Sequence, residues 1–194
     1  MSLEMPELEQ RMACANRSDT ARGIFFNAIL SELETSLGKD AAKAVTAELG
    51  TRGWVDFFWY PATDFLKLLY AGTNALAPKV GSRDIAIFNL GRAATRHFFS
   101  SAVGKTLRLF VIDGKPESLL SSAPAAYDIG VNYGKRKFEL VEKKSGLFSV
   151  VGDPVPSRFH EGVISGALEE IDCKGTVTSK ARSLNSADYQ ICWS

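Results

Sequence analysis

Histidine occurs twice in these 194 residues and cysteine three times, and neither appears at ligand spacing. Cys14, Cys173 and Cys192 are odd in number and include no CxxC pair, which excludes a disulfide framework and a zinc cluster. They read as the reduced thiols of a cytoplasmic protein. No charge sign is in excess. The chain carries 23 basic and 22 acidic residues, with 14 against 13 up to Ala123 and 9 against 9 beyond it. A neutral chain without a basic arm has no electrostatic hold on a phosphate backbone, so nucleic-acid binding is not expected. Long apolar runs are missing too, and with them a bilayer span. The acidic start at Glu4, Glu7 and Glu9 is unlike a secretory leader. Catalytic signatures are also missing: GxSxG, GxGxxG and GxxxxGK[ST] do not occur. Gly104-Lys105-Thr106 matches only the tail of a phosphate loop, with Phe99 where a glycine is required and a helix where the motif needs a strand. Asp64, Asp84 and Asp113 suit helix caps and turns. The pattern of absences points away from an enzyme.

What is present is a change of hydrophobic period near Pro124. Before it, apolar residues recur at helical spacing; after it they mostly alternate. The expected fold class is α+β, an N-terminal helical bundle packed on a C-terminal antiparallel sheet of four or five strands with one inserted helix. A single domain over 1–194 is expected, with 1–19 a flexible leader, 20–123 the helical half and 124–194 the sheet half. Asp19 and Thr20 offer cap chemistry for a helix to Leu37, stopped by Gly38. A second helix is expected over Asp40 to Leu49, and a third from Pro61 to Leu76, ended by Pro78. Ser82 caps a fourth helix to about Ala102, apolar around most of its girth and therefore central. Thr106 to Ile112 reads as a restart and Pro116 as the start of a short helix ending before Pro124. Tyr127, Ile129, Val131 and Tyr133 alternate as a half-buried strand would. Further strands are expected at Arg136 to Glu142, Leu147 to Val151, Gly175 to Ala181 and Ala187 to Trp193, in a meander. Between them a helix over Pro156 to Ile171 carries the stripe Phe159, Val163, Ala167 and Ile171. Gly162 and Gly166 lie beside that stripe, where a second backbone must approach closely.

The candidate ligand-binding residues are Trp54, Phe57, Phe58, Trp59, Tyr60, His97, Phe98 and His160. Five aromatics within Trp54 to Tyr60 (WVDFFWY) are costly to expose and suggest a plug over the core that lines a cavity or a subunit interface. Phe98 lies on the buried arc of the central helix with His97 at its edge, and His160 falls on the apolar stripe of the inserted helix. Either histidine suits a haem ligand, a general base or a hydrogen-bonded core position. Lys135, Arg136 and Lys137 face Lys143 and Lys144 across a hairpin, which suits an anion or partner site and reads first as a solvated edge protected from pairing. Cys192 alternates with Ile191 and Trp193 and should face away from them.

RGIFFNAIL (Arg22 to Leu30), YPATDFLKLL (Tyr60 to Leu69), LGRAATRHFFSSAVGKTLRLF (Leu90 to Phe110), FHEGVISGALEEI (Phe159 to Ile171) and YQICW (Tyr189 to Trp193) together resemble an uncharacterised paralogous family, a domain of unknown function expanded in myxobacteria. More remotely, a glycine-containing helix followed by a terminal strand pair is similar to the 4-vinyl reductase ligand-binding domains, the haem NO/O2-binding (H-NOX) domains and the TRAPP-like trafficking subunits. Those resemblances imply a helical half on an antiparallel sheet with an internal cavity. The chain departs from the H-NOX pattern, offering Tyr133-Gly134-Lys135-Arg136 where those domains carry YxSxR, and no histidine between Gly104 and Pro124. The cysteines that many 4-vinyl reductase domains place near the C-terminus are missing from Ala181 to Asp188. The reading that results is a non-enzymatic sensor or adaptor in the cytoplasm. It binds a small apolar ligand or a protein partner, with a homodimer as one form, and the residues specify no cofactor. A haem-based gas sensor using His97 or His160, and a TRAPP-like oligomeric scaffold subunit, are the two alternatives.

Overall fold

A computed structural model describes residues 5–51, 53–102, 104–106 and 114–194. The elements run α1 (Met5–Cys14), β1 (Thr20–Arg22), α2 (Gly23–Leu37), α3 (Lys39–Glu48), β2 (Trp59–Pro61), α4 (Ala62–Val80), α5 (Arg83–Ser100) and α6 (Pro116–Gly130). Then follow β3 (Lys135–Glu142), β4 (Ser145–Val151), α7 (Ser157–Glu169), β5 (Gly175–Ser183) and β6 (Ser186–Trp193). The class is α+β, as the change of period implies. No helix among the described residues is long and apolar enough to cross a membrane.

The helical core gathers Phe26, Ile29 and Leu33 of α2, Phe65, Leu66 and Leu69 of α4, and Ala86, Leu90 and Ala94 of α5. Gly81 ends α4 in the left-handed region at φ 93°, a conformation that favours glycine. The hydroxyl of the next residue, Ser82, accepts the Ile85 N–H at 3.1 Å and opens α5. Helix α5 packs against α2, α4 and α7, so it is the central helix that its nearly all-apolar girth calls for.

The larger sheet has the order β3-β4-β6-β5, with every neighbouring pair antiparallel. Alternate residues of β4 and β6, including Phe148, Val150, Tyr189 and Ile191, are buried in one cluster with Ile164 and Leu168 of α7. Cys192, between Ile191 and Trp193, is exposed as its parity requires.

Several expectations are corrected. Residues 127–130 do not open a strand; they complete α6, which runs through Pro124, so the helical part of the chain extends past 123. The alternation of Tyr127, Ile129, Val131 and Tyr133 competes there with a helical stripe of Leu120, Ala123 and Tyr127, and packing of that stripe against the second core decides the matter. Pro78 likewise lies inside α4 rather than ending it. The leader is helical from Met5, and buried Arg11 pins it by donating from Nη1 to the carbonyls of Leu184 (2.6 Å) and Pro154 (3.1 Å). The strands form two hairpins joined through β4 and β6 rather than a meander, because α7 carries the chain across to β5 at the far edge. The helix expected after Asp19 and Thr20 is α2 and begins at Gly23, since Thr20 to Arg22 pair with β2. The expected restart over Thr106 to Ile112 falls almost wholly outside the described residues.

Candidate functional site

Between the two cores lies a cavity of about 210 Å3. Its walls come from α2 (Phe25), α4 (Phe65), α5 (Ala94, Phe98), α6 (Leu120) and α7 (Phe159), among others, and are almost wholly apolar. Helices α6 and α7 both pack on the sheet, and of its neighbours α5 approaches α7 most closely. Gly91 and Gly162 make that closeness possible: a Cβ on Gly162 would stand 2.0 Å from the Phe88 carbonyl oxygen, and one on Gly91 would stand 2.1 Å from that of Phe159.

The cavity has one polar side, formed by Tyr127, Tyr133, Arg136, Asp153 and His160. The Arg136, Asp153 and His160 side chains are only 1%, 2% and 4% exposed. Arg136 Nη2 pairs with Asp153 Oδ2, Nη1 donates to the Tyr133 carbonyl at 2.8 Å, and the guanidinium lies 4.4 Å from the centre of the Tyr127 ring. Asp153 Oδ1 accepts the Val155 N–H at 3.0 Å. His160 Nε2 stands 3.3 Å from Asp153 Oδ2, within ion-pair range but off the line of a hydrogen bond, and Nδ1 meets the Tyr127 hydroxyl at 2.9 Å. With the Nε2 proton turned to the carboxylate, Nδ1 accepts from the phenol.

The electrostatics follow from this packing. Burial pushes the Asp153 carboxyl up, but His160, Arg136 and the Val155 N–H together outweigh it and hold the group at about 2. Burial raises the Tyr127 phenol well above its ordinary value, only partly opposed by Arg136, and it raises Tyr133 and Tyr189 likewise. Part of the Tyr127 surface is accessible although the phenol lies deep, as befits a residue that lines a cavity. Two groups are left over: Arg136 Nε and His160 Nε2 are each buried without a hydrogen-bond partner among the described residues. A buried orphan donor costs roughly 1 to 3 kcal/mol and calls for an explanation.

Of the eight residues singled out from the sequence, Phe98 and His160 line the cavity. His97 is half-buried on α5 and does not. Trp54 and Tyr60 pack on Phe26, with ring centres 4.9 and 5.6 Å away, and neither reaches the cavity. The expected aromatic plug is corrected at its centre, since Phe57 and Phe58 are 64% and 62% exposed and Trp59 is 43% exposed beneath the Arg22 guanidinium. The reading of Arg136 as part of a solvated basic hairpin is corrected as well. Tyr127, Tyr133, Arg136 and Asp153 were not singled out, and only the parity of Arg136 with Phe138 on an otherwise lysine-rich strand hinted that it turns inward.

Solved structures that share this arrangement of helices and sheet include H-NOX domains, and the fold is of that kind. The H-NOX protein of S. oneidensis in its Fe(II)NO ligation state superposes with a TM-score of 0.71 over 89% of this chain and 99% of that one, at 12% identity. The Fe(II) unliganded H-NOX protein of K. algicida gives 0.66 over 89% and 96%, at 15% identity. Residues 15–194 match the family described as Protein of unknown function (DUF2378), and the chain belongs to that family. No curated protein matches it.

The fold raises the question of haem, and the residues do not fit it. Among the described residues His160 is the cavity's one imidazole; its Nδ1 is taken by the Tyr127 hydroxyl, and its Nε2 lies 3.3 Å from the Asp153 carboxylate. No histidine or cysteine occurs at 103 or 107–113 to supply another ligand. The tyrosines hold their protons, and Arg136, among the described residues the one cavity cation suited to a carboxylate, is already neutralised by Asp153. Size argues the same way: about 210 Å3 is not far above the roughly 150 Å3 of an engineered cavity that admits benzene, and a macrocycle of four pyrrole rings is several times larger than benzene.

Proposed function

We propose that this chain is a non-enzymatic ligand-binding module, a sensor or adaptor whose input is a small, mostly apolar molecule held between the helical core and the sheet. The observation that carries the reading is the cavity itself: about 210 Å3 with apolar walls, at the seam of α5, α6, α7 and the sheet. Space of that size left between two well-packed clusters loses dispersion contacts unless something fills it. The seam is also where occupancy would matter, because a filled cavity changes how the helices rest on the sheet. On the polar side of the cavity His160 bonds its Nδ1 to the Tyr127 hydroxyl and not to a serine, threonine or cysteine. The haem-sensor alternative keeps the support of the shared fold and lacks that of the residues.

The test is titration with 1-aminonaphthalene, a neutral ten-carbon fluorophore whose emission shifts to the blue on leaving water. Saturable binding at one site per chain is expected, and Ala126→Phe, which places a ring into the cavity from α6, should weaken it at least tenfold while the protein still melts cooperatively. No saturable binding, or equal binding by the filled variant, overturns the reading.

A further inference from the structure

Resting on that cavity as a ligand site, we infer that its occupant is a compact neutral molecule, an apolar body of about eight to ten carbons bearing one acceptor oxygen of the ketone, ester or lactone kind, which Arg136 Nε holds by a hydrogen bond.

The head group follows from a count of donors and charges. Arg136 has five N–H bonds; Nη1 and Nη2 are used on the Tyr133 carbonyl and Asp153, while Nε is buried without a partner on a residue that lines the cavity. Buried polar groups are nearly always satisfied, so an acceptor is missing at this place, and beyond the polar side the walls are almost wholly apolar. The charge of the guanidinium is already balanced by the Asp153 carboxylate. A carboxylate ligand would leave the buried site with an uncompensated negative charge, whereas a carbonyl or ether oxygen satisfies Nε and adds none. An alkane would fill the walls and leave the donor orphaned. The preference for a neutral acceptor over both an anion and a hydrocarbon therefore comes from one orphan atom and one ion pair.

Competition on the full chain separates these cases, with 1-aminonaphthalene displaced by octane, 2-octanone or octanoate. In the double variant Arg136→Met/Asp153→Leu, which replaces the ion pair by apolar side chains of similar size, 2-octanone should bind about tenfold more weakly than to the wild type and octane should be unchanged. Should that variant not fold, the infrared carbonyl stretch of 2-octanone bound to the wild type gives the same answer. A stretch below that in alkane solution supports the hydrogen bond, and an alkane-like stretch overturns it. Octanoate binding more tightly than 2-octanone overturns the charge argument. If octane and 2-octanone respond alike to the double variant, a bound water satisfies Nε; the head-group inference fails and the cavity reading stands. If none of the three displaces the probe, the cavity reading falls and takes this inference with it.

Discussion

The carbonyls of Asp56 and Phe58 accept the Ile24 and Gly23 N–H groups at 3.1 and 3.0 Å, so the main chain of residues 54–60 closes the open N-terminus of α2. Asn27 fixes the loop from the other side, donating from Nδ2 to the Trp54 carbonyl at 2.9 Å and to Asp56 Oδ1 at 2.7 Å. Capping by backbone leaves each side chain free to point wherever the turn sends it. Trp54 turns in against Phe26, and Phe57 and Phe58 turn out. Trp54→Ala should accordingly cost roughly 2 kcal/mol or more, and Phe57→Ala or Phe58→Ala less than about 0.5 kcal/mol, in urea unfolding monitored by circular dichroism. Equal losses at the three positions would contradict this account. Aromatic density is legible in the sequence but the direction of a ring in a loop is not, because no period governs it. The same gap hid the Arg136, Asp153 and His160 cluster. Those residues come from β3, the turn after β4 and α7, and only His160 stood out, as a polar residue on an apolar stripe.

Among the helices, the junction of α5 and α7 is the tightest. Gly91 and Gly162 let each backbone touch the other's carbonyl, while Gly166 is less crowded, with a hypothetical Cβ 3.2 Å from Arg92 Cα. Thr95 Oγ1 donates to the Val163 carbonyl at 2.9 Å across the same contact, and Arg92 closes its rim on Glu169 at 2.8 Å. Two opposed effects decide a glycine-to-alanine change here: a gain of up to about 1 kcal/mol in helix propensity, and the cost of pushing two backbones apart. At 2.0 Å the clash wins. Gly162→Ala should lose roughly 3 kcal/mol and Gly166→Ala less than about 1 kcal/mol, measured as shifts in denaturant midpoint. The reverse ranking would mean that α5 and α7 are not in close contact. Gly162 and Gly166 announced a close approach from their spacing, and the helix that meets them was legible as the one apolar on most sides. Helix α6 was not legible in full, because Pro124 looks like a boundary and four residues of chance alternation follow it. A proline inside a helix forfeits one hydrogen bond, and packing of Leu120, Ala123 and Tyr127 on the sheet core outweighs that loss.

For the molecule as a whole, the two cores share a buried polar seam, and the seam should set the pH range over which the fold holds. Asp153 titrates at about 2 in the folded chain, below the ordinary 3.8 to which unfolding releases it. Its contribution is therefore complete above about pH 4 and disappears as pH falls toward 2, an amount of order 2 kcal/mol. At the other end, Tyr127, Tyr133 and Tyr189 keep their protons in the fold beyond the value of 10.0 at which they ionise once unfolded. Their contribution is complete below pH 10 and declines above it, since the unfolded chain then releases protons that the folded chain retains. Urea midpoints should hold a plateau between these limits and fall at both ends. Tyr189→Phe should make the alkaline limb shallower by one proton and leave the acid limb as it was. An alkaline limb unchanged in that variant would show that the phenol reaches water in the folded state, and with it that the seam between helices and sheet is open rather than packed.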